Sequence, residues 1–152
     1  MSTTIADQFN TFIAGAADAA LWSTIPLDDD GMGDVTADEL EIGGEELIKL
    51  RCTIVYYARD WFIAHYPLIR SAMSDNPEYN DWTQVGYDWW LTTQGHGAGF
   101  WDRGLGAAGD ALTDSCGGYE GILELYLDSE GILRVDTYNV MVFDESLDGL
   151  CG

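Results

Sequence analysis

Twenty-seven carboxylates against six Lys and Arg give this chain a formal net charge of -21. Any fold it adopts must keep those charges apart and in water, because like charges repel and weaken a compact state. Against that repulsion stand 47% apolar residues, among them six Trp, eight Tyr and five Phe, in 152 residues. That is enough apolar side chain for one adequate core, which argues against disorder of the whole chain. The expectation is one domain over residues 1–143, followed by an acidic, flexible tail over 144–152.

Hydrophobic spacing divides the chain into a helical first half and a mixed second half. Ile5, Phe9, Phe12, Ile13, Ala16 and Ala20 recur at helical spacing, so residues 3–22 read as a helix capped by Ser2, Thr3 or Thr4. Residues 23–44 are polar and Gly-rich and read as loop, with a short turn near Ala37–Leu40. A second helix is expected from Glu45 to about His65, apolar on nearly every side and so central. Pro67 should end or kink it and start a short helix to Met73. Further on, Tyr87–Thr93 has strand-like content and residues 105–116 read as a short helix. Ile122–Leu127 and Ile132–Tyr138 form a hairpin through Asp128-Ser129-Glu130-Gly131, which Asn139–Phe143 extends. The fold class is α+β: N-terminal helices packed on a small C-terminal antiparallel β-sheet.

The cysteines Cys52, Cys116 and Cys151 are odd in number and widely spaced, which argues against a zinc site and a disulfide framework. No basic n-region opens the chain and no apolar run approaches roughly 18 residues, so neither a signal peptide nor a membrane span is expected. The cytoplasm is the expected compartment.

Charge also constrains partners. Nucleic acid and anionic membranes are repelled, and no basic stripe exists to neutralise phosphates. The carboxylates concentrate in Asp28, Asp29, Asp30, Asp34, Asp38, Glu39, Glu41, Glu45 and Glu46, and recur in Glu120, Glu124, Asp128 and Glu130. Duplex DNA displays one charge per roughly 1.7 Å of axis. Acidic bands of comparable density on a rigid domain suit a basic, DNA-binding protein, and these residues are the candidate partner contacts. A homodimer is compatible with the same sequence. Halophilic adaptation is a blander source of acidity.

Asp28, Asp30, Gly33, Thr36 and Glu39 also fall at positions one, three, six, nine and twelve of a calcium loop, with Val35 at eight. Met32 at position five supplies no oxygen, so calcium is the weaker reading. No cofactor or metal is expected.

The densest local pattern is Asp88-Trp89-Trp90-Leu91-Thr92-Thr93-Gln94-Gly95-His96-Gly97-Ala98-Gly99-Phe100-Trp101-Asp102-Arg103-Gly104. Chemically, His96 as base, Asp102 as its orienter and Arg103 as anion binder would suit a small enzyme or ligand-binding domain. No nucleophile elbow or phosphate loop accompanies them. The favoured reading is structural: Trp90 belongs to the scaffold, the His96 ring braces the tight loop, Asp102 and Arg103 pair internally, and Trp101 plugs the core. Tyr56, Tyr57, Trp61, Phe62 and Tyr66 read as core or core edge, and Trp82 and Trp89 as more exposed interface anchors.

This stretch resembles a DFWLTRNGHGAGFWDRG-like motif of small uncharacterised proteins of bacteriophages and other mobile elements. The resemblance spans about residues 85–138, including Gly104-Leu105-Gly106, Leu112-Thr113 and the closing hairpin. Trp90 stands where Phe is usual, and Thr93-Gln94 where Arg-Asn is usual. The resemblance implies a mobile-element setting. Joined to the charge, it yields the expectation of a non-enzymatic DNA mimic acting on a host defence complex, DNA-repair enzyme or nucleoid protein.

Overall fold

The computed structural model describes residues 3–24, 26–28, 31–32, 35–40, 42–117 and 123–137. Helix α1 (Ile5–Trp22) starts where a capping box fixes it: Asp7 N–H donates to Thr4 Oγ1 at 3.1 Å and Thr4 N–H donates to Asp7 Oδ2 at 3.3 Å. Short strands β1 (Leu27–Asp28) and β2 (Gly31–Met32) follow, then a 3-10 turn at Ala37–Glu39 where the sequence places one.

Helix α2 (Gly44–Asp75) is a single element of 32 residues that carries Pro67 inside it, and so corrects the expected break. Pro67 removes one N–H from the ladder, but Pro67 and Ile63, whose carbonyl loses its donor, are both exposed. On an exposed side solvent can satisfy such a carbonyl, and buried Ile69 and Ala72 hold the last turns against the core. Tyr66 Oη donates to Gln8 Oε1 at 2.6 Å and ties α2 to α1.

Helix α3 (Trp82–Thr93) replaces the strand expected over Tyr87–Thr93. Asp81 caps it by accepting the Thr83 N–H at 2.9 Å. Val85, Gly86, Trp89 and Thr93 then recur on a helical face and are all buried. β-branched and aromatic content is a weak preference, and packing on α1 overrides it. That packing is very close. A Cβ at Gly86 would lie 1.9 Å from the Phe12 carbonyl oxygen, and one at Gly15 would lie 2.1 Å from that of Thr83. The two glycines let the backbones approach.

A 3-10 turn (Phe100–Asp102) leads to α4 (Ala107–Asp114), and β3 (Leu123–Leu127) and β4 (Leu133–Thr137) form the expected hairpin. Asp128 organises its turn: Oδ1 accepts the N–H groups of Glu130 (2.9 Å) and Ile132 (3.0 Å). Gly131 takes the left-handed conformation there, with φ +77°. The sheet order is β2-β1-β3-β4, with β1 antiparallel to β2 and parallel to β3 through the Leu27–Tyr126 pair. The architecture is α+β. Leu125, Leu133 and Val135 are buried, and the Val135 N–H donates to Glu46 Oε2 of α2 at 2.7 Å.

The core is aromatic: Phe12, Trp61, Phe62, Trp89 and Phe100 pack with neighbouring ring centroids 5.2 to 6.2 Å apart. Cys52 is disulfide-bonded, contrary to the expectation from cysteine spacing. Cys116 is a free thiol whose burial pushes its pKa up to about 12. Among the described residues no helix is long and apolar enough to cross a membrane. Asn139–Phe143 and the tail 144–152 lie outside the described residues.

Candidate functional site

The Gly-rich motif is built around Asp88, whose side chain is 0% exposed. Its Oδ2 accepts the Tyr79 hydroxyl at 2.7 Å. Its Oδ1 accepts Gln84 Nε2 at 3.0 Å, Arg103 Nε at 2.9 Å and Arg103 Nη2 at 2.8 Å. Four donors satisfy a carboxylate that burial would otherwise penalise heavily. Burial and the Asp88 charge push the Tyr79 hydroxyl far above its ordinary pKa, and the hydrogen bond to Asp88 raises that of Arg103. An open cleft of about 760 Å³ lies over Tyr79, Gln84 and Arg103, with Asp75 and Glu78 among the groups around it.

This arrangement corrects the expected pairing within the motif. Arg103 is held by Asp88, fifteen residues earlier, and Asp102 is exposed instead of serving as its partner. His96 is exposed; its backbone N–H donates to the Leu91 carbonyl at 2.9 Å, and the ring does not brace the loop. The bracing comes from Thr92, whose Oγ1 accepts the Phe100 N–H at 3.1 Å. A Cβ at Gly99 would fall 2.2 Å from that oxygen, so the motif needs glycine there. Trp101, expected as a core plug, is 51% exposed, and Phe100 fills the core in its place. Trp90 is buried as scaffold. Trp89 is fully buried and Trp82 stacks on Tyr66 with ring centroids 5.5 Å apart, so neither is a free anchor. Tyr56 is more exposed than a core position would be.

The catalytic reading needs His96, Asp102 and Arg103 to converge, and two of them face solvent while the third is locked to Asp88. The motif as folded is a structural lock. Among the described residues no group of three His, Cys, Asp or Glu side chains is placed to hold a metal. The calcium loop falls largely on residues outside the description.

The candidate partner contacts separate into two kinds. Asp38 and Glu39 on the 3-10 turn, Glu45 in the first turn of α2, and Glu130 in the hairpin turn are exposed. Glu124 lies directly across from exposed Asp136 in the β3–β4 register. Glu46, by contrast, is buried and bound to Val135 N–H, with Arg134 Nη1 and Lys49 Nζ each 3.6 Å from Oε1. It is a fold residue, not a contact. Asp128 is occupied by its own turn and by Arg134 Nε at 2.9 Å, and its pKa is lowered first by the Ile132 N–H and then by Arg134. The side chain of Asp28, together with Asp29, Asp30, Asp34, Glu41 and Glu120, lies outside the described residues.

The helices and the turns between them add exposed carboxylates absent from the two expected bands: Asp18, Asp60, Asp75, Glu78, Asp102, Asp110 and Asp114. They stand singly in sequence, and only the total charge hinted at them. Of the six cations, Lys49, Arg59, Arg103 and Arg134 each lie within 4.0 Å of a carboxylate. Among the described residues, most of the exposed carboxylates therefore face solvent with no cation within 4.0 Å. Compared with protein-family models, curated proteins and solved structures, the chain matches none.

Proposed function

We propose that the protein is an acidic decoy that mimics DNA and occupies the DNA-binding surface of a basic protein. The observation that supports this is the division of its charges. Four of the six cations, Lys49, Arg59, Arg103 and Arg134, lie within 4.0 Å of the chain's own carboxylates, whereas Asp38, Glu39, Glu45, Asp110, Asp114, Glu130 and Asp136 are exposed. A rigid surface of this kind gains affinity by releasing counterions from Lys and Arg of the partner, and its field speeds encounter. The mechanism is stoichiometric occlusion, with no chemical step.

The motif resemblance adds a mobile-element setting, in which the partner is a host defence, repair or nucleoid protein met in the host cytoplasm. Capture on the immobilised chain followed by elution with duplex DNA tests the reading. Expected are DNA-binding proteins that bind at low salt and are displaced both by DNA and by salt. Capture of no DNA-binding protein at low salt, or a complex that DNA fails to displace, contradicts it.

A further inference from the structure

We infer that the open cleft over the Asp88 centre binds a free basic amino acid, lysine or arginine. This goes beyond the decoy reading and does not rest on it. Three segments meet at the cleft: the end of α2 with Asp75 and the turn after it, the first turn of α3 with Gln84, and the end of the Gly-rich loop with Arg103. The turn is closed by the Tyr79 N–H, which donates to the Asn76 carbonyl at 2.8 Å, and it carries Glu78. Buried Asp88 fixes the plane of the Arg103 guanidinium by taking its Nε and Nη2 donors. A guanidinium carries further N–H groups on its two terminal nitrogens. Among the described residues Arg103 Nη1 makes no hydrogen bond, so the cleft keeps a positioned donor edge. The amides are spent on the donor side only. Gln84 Nε2 donates to Asp88 and Asn76 Nδ2 to the Ala72 carbonyl at 2.9 Å, which leaves the amide oxygens as acceptors.

Charge selects the ligand. Asp88 cancels Arg103, whereas Asp75 and Glu78 are exposed with no cation within 4.0 Å of either. Asp75 also ends a helix with no basic residue in its last turn, where the helix dipole adds partial negative charge. The cleft therefore repels simple anions such as phosphate or a dicarboxylate. A plain amine would satisfy the carboxylates but leave the Arg103 edge without an acceptor. A molecule with one carboxylate and two cationic groups answers every feature. Its carboxylate takes the Arg103 donors, its α-ammonium and its side-chain cation face Asp75 and Glu78, and the amide oxygens accept the remaining N–H groups. Free lysine and arginine have this constitution.

With a volume of about 760 Å³, the cleft has room for such a molecule and its water. It is open to solvent and polar, so the ligand stays partly hydrated and its dissociation constant is on the order of 1 mM.

Nuclear magnetic resonance titration of the full chain tests this, in roughly 0.15 M NaCl so that loose counterion association is screened. L-arginine and L-lysine should each shift the signals of Gln84, Arg103 and Gly104 along a saturable curve. Agmatine, which is arginine without its carboxylate, should bind at least about fivefold more weakly, and L-glutamate should not bind. This comparison probes the Arg103 edge without altering a residue that the fold needs. Asp75→Asn and Glu78→Gln, at exposed positions, should each weaken arginine binding about fivefold with the thermal midpoint unchanged. The Asp110→Asn, Asp114→Asn double variant removes charge outside the cleft and should change the affinity less than about twofold. No saturable binding of either basic amino acid up to about 20 mM overturns the inference. So does agmatine binding as tightly as arginine, or an affinity indifferent to both cleft variants. None of these outcomes bears on the decoy complex, so either reading can fail alone.

Discussion

Glu45 and Glu46 are neighbours on one helical turn, yet they belong to different regions of the molecule. Glu45 faces water, whereas Glu46 is buried, accepts the Val135 N–H at 2.7 Å and gathers Arg134 and Lys49. The same division recurs in the Gly-rich motif, where Asp88 is enclosed by Tyr79, Gln84 and Arg103 while Asp102 is exposed. The interior carboxylates Glu46 and Asp88 take up three of the six cations, Lys49, Arg134 and Arg103, and hold the hairpin and α3 in place. The exterior ones are left with an uncompensated field. Net charge is therefore a poor map of function on its own, because a few of its members are spent on the fold.

That comparison is open to direct attack, beginning with the interior. Asp88→Ala leaves the Tyr79 hydroxyl, Gln84 and Arg103 without their acceptor. Removing one partner of a buried pair costs about 3–5 kcal/mol, and the side chain of Arg103 is 29% exposed, so the loss is expected near about 3 kcal/mol. Urea denaturation measures it, and a loss below about 1 kcal/mol would make the Asp88 centre peripheral to stability. Gly86→Ala places a methyl group against the Phe12 carbonyl. It should cost about 1–3 kcal/mol by overpacking, visible as a lowered thermal midpoint. Glu46→Gln keeps an acceptor for Val135 but removes the charge that Arg134 and Lys49 share. A loss of about 1–2 kcal/mol is expected, with faster hydrogen exchange in β3 and β4 than in α1.

At the other end of the scale, Asp110→Asn, Asp114→Asn and Asp136→Asn should each change stability by no more than about 0.5 kcal/mol. Relief of self-repulsion makes a small gain the expected direction. The contribution of Asp128 depends on pH. Its folded pKa lies below the unfolded value near roughly 3.9, so its contribution is present above that pH and fades as pH falls through the folded pKa. Asp128→Asn should remove that component and flatten the acid side of the hairpin's melting profile.

Much of the fold was legible locally. The cap of α1, Thr4, was one of three adjacent candidates, and Asp128 to Gly131 announce the hairpin, because caps and turns are settled by a few adjacent residues. What escaped depends on partners far along the chain. Helix α3 lies where strand-forming residues cluster, because Gly86 and Gly15 let it press on α1. Pro67 does not break α2, because it falls on the exposed side. Within the motif, composition marks the loop but cannot say that Arg103 reaches back to Asp88, or that Phe100 and not Trp101 turns inward. The candidate contacts were legible as charge and not as orientation. One residue of helical rotation, about 100°, separates Glu45 in water from Glu46 in the core.

The central claim is that the exterior carboxylates, and not the interior ones, bind a basic DNA-binding partner. It is tested most directly by titrating the captured partner with wild type and with the Asp110→Asn, Asp114→Asn, Asp136→Asn triple variant, over a series of salt concentrations and against competing duplex DNA. The account predicts that the triple variant stays folded, binds more weakly, shows a shallower dependence of affinity on salt, and is displaced by less DNA. Unchanged affinity and salt slope in a folded variant, with DNA unable to compete, would contradict it.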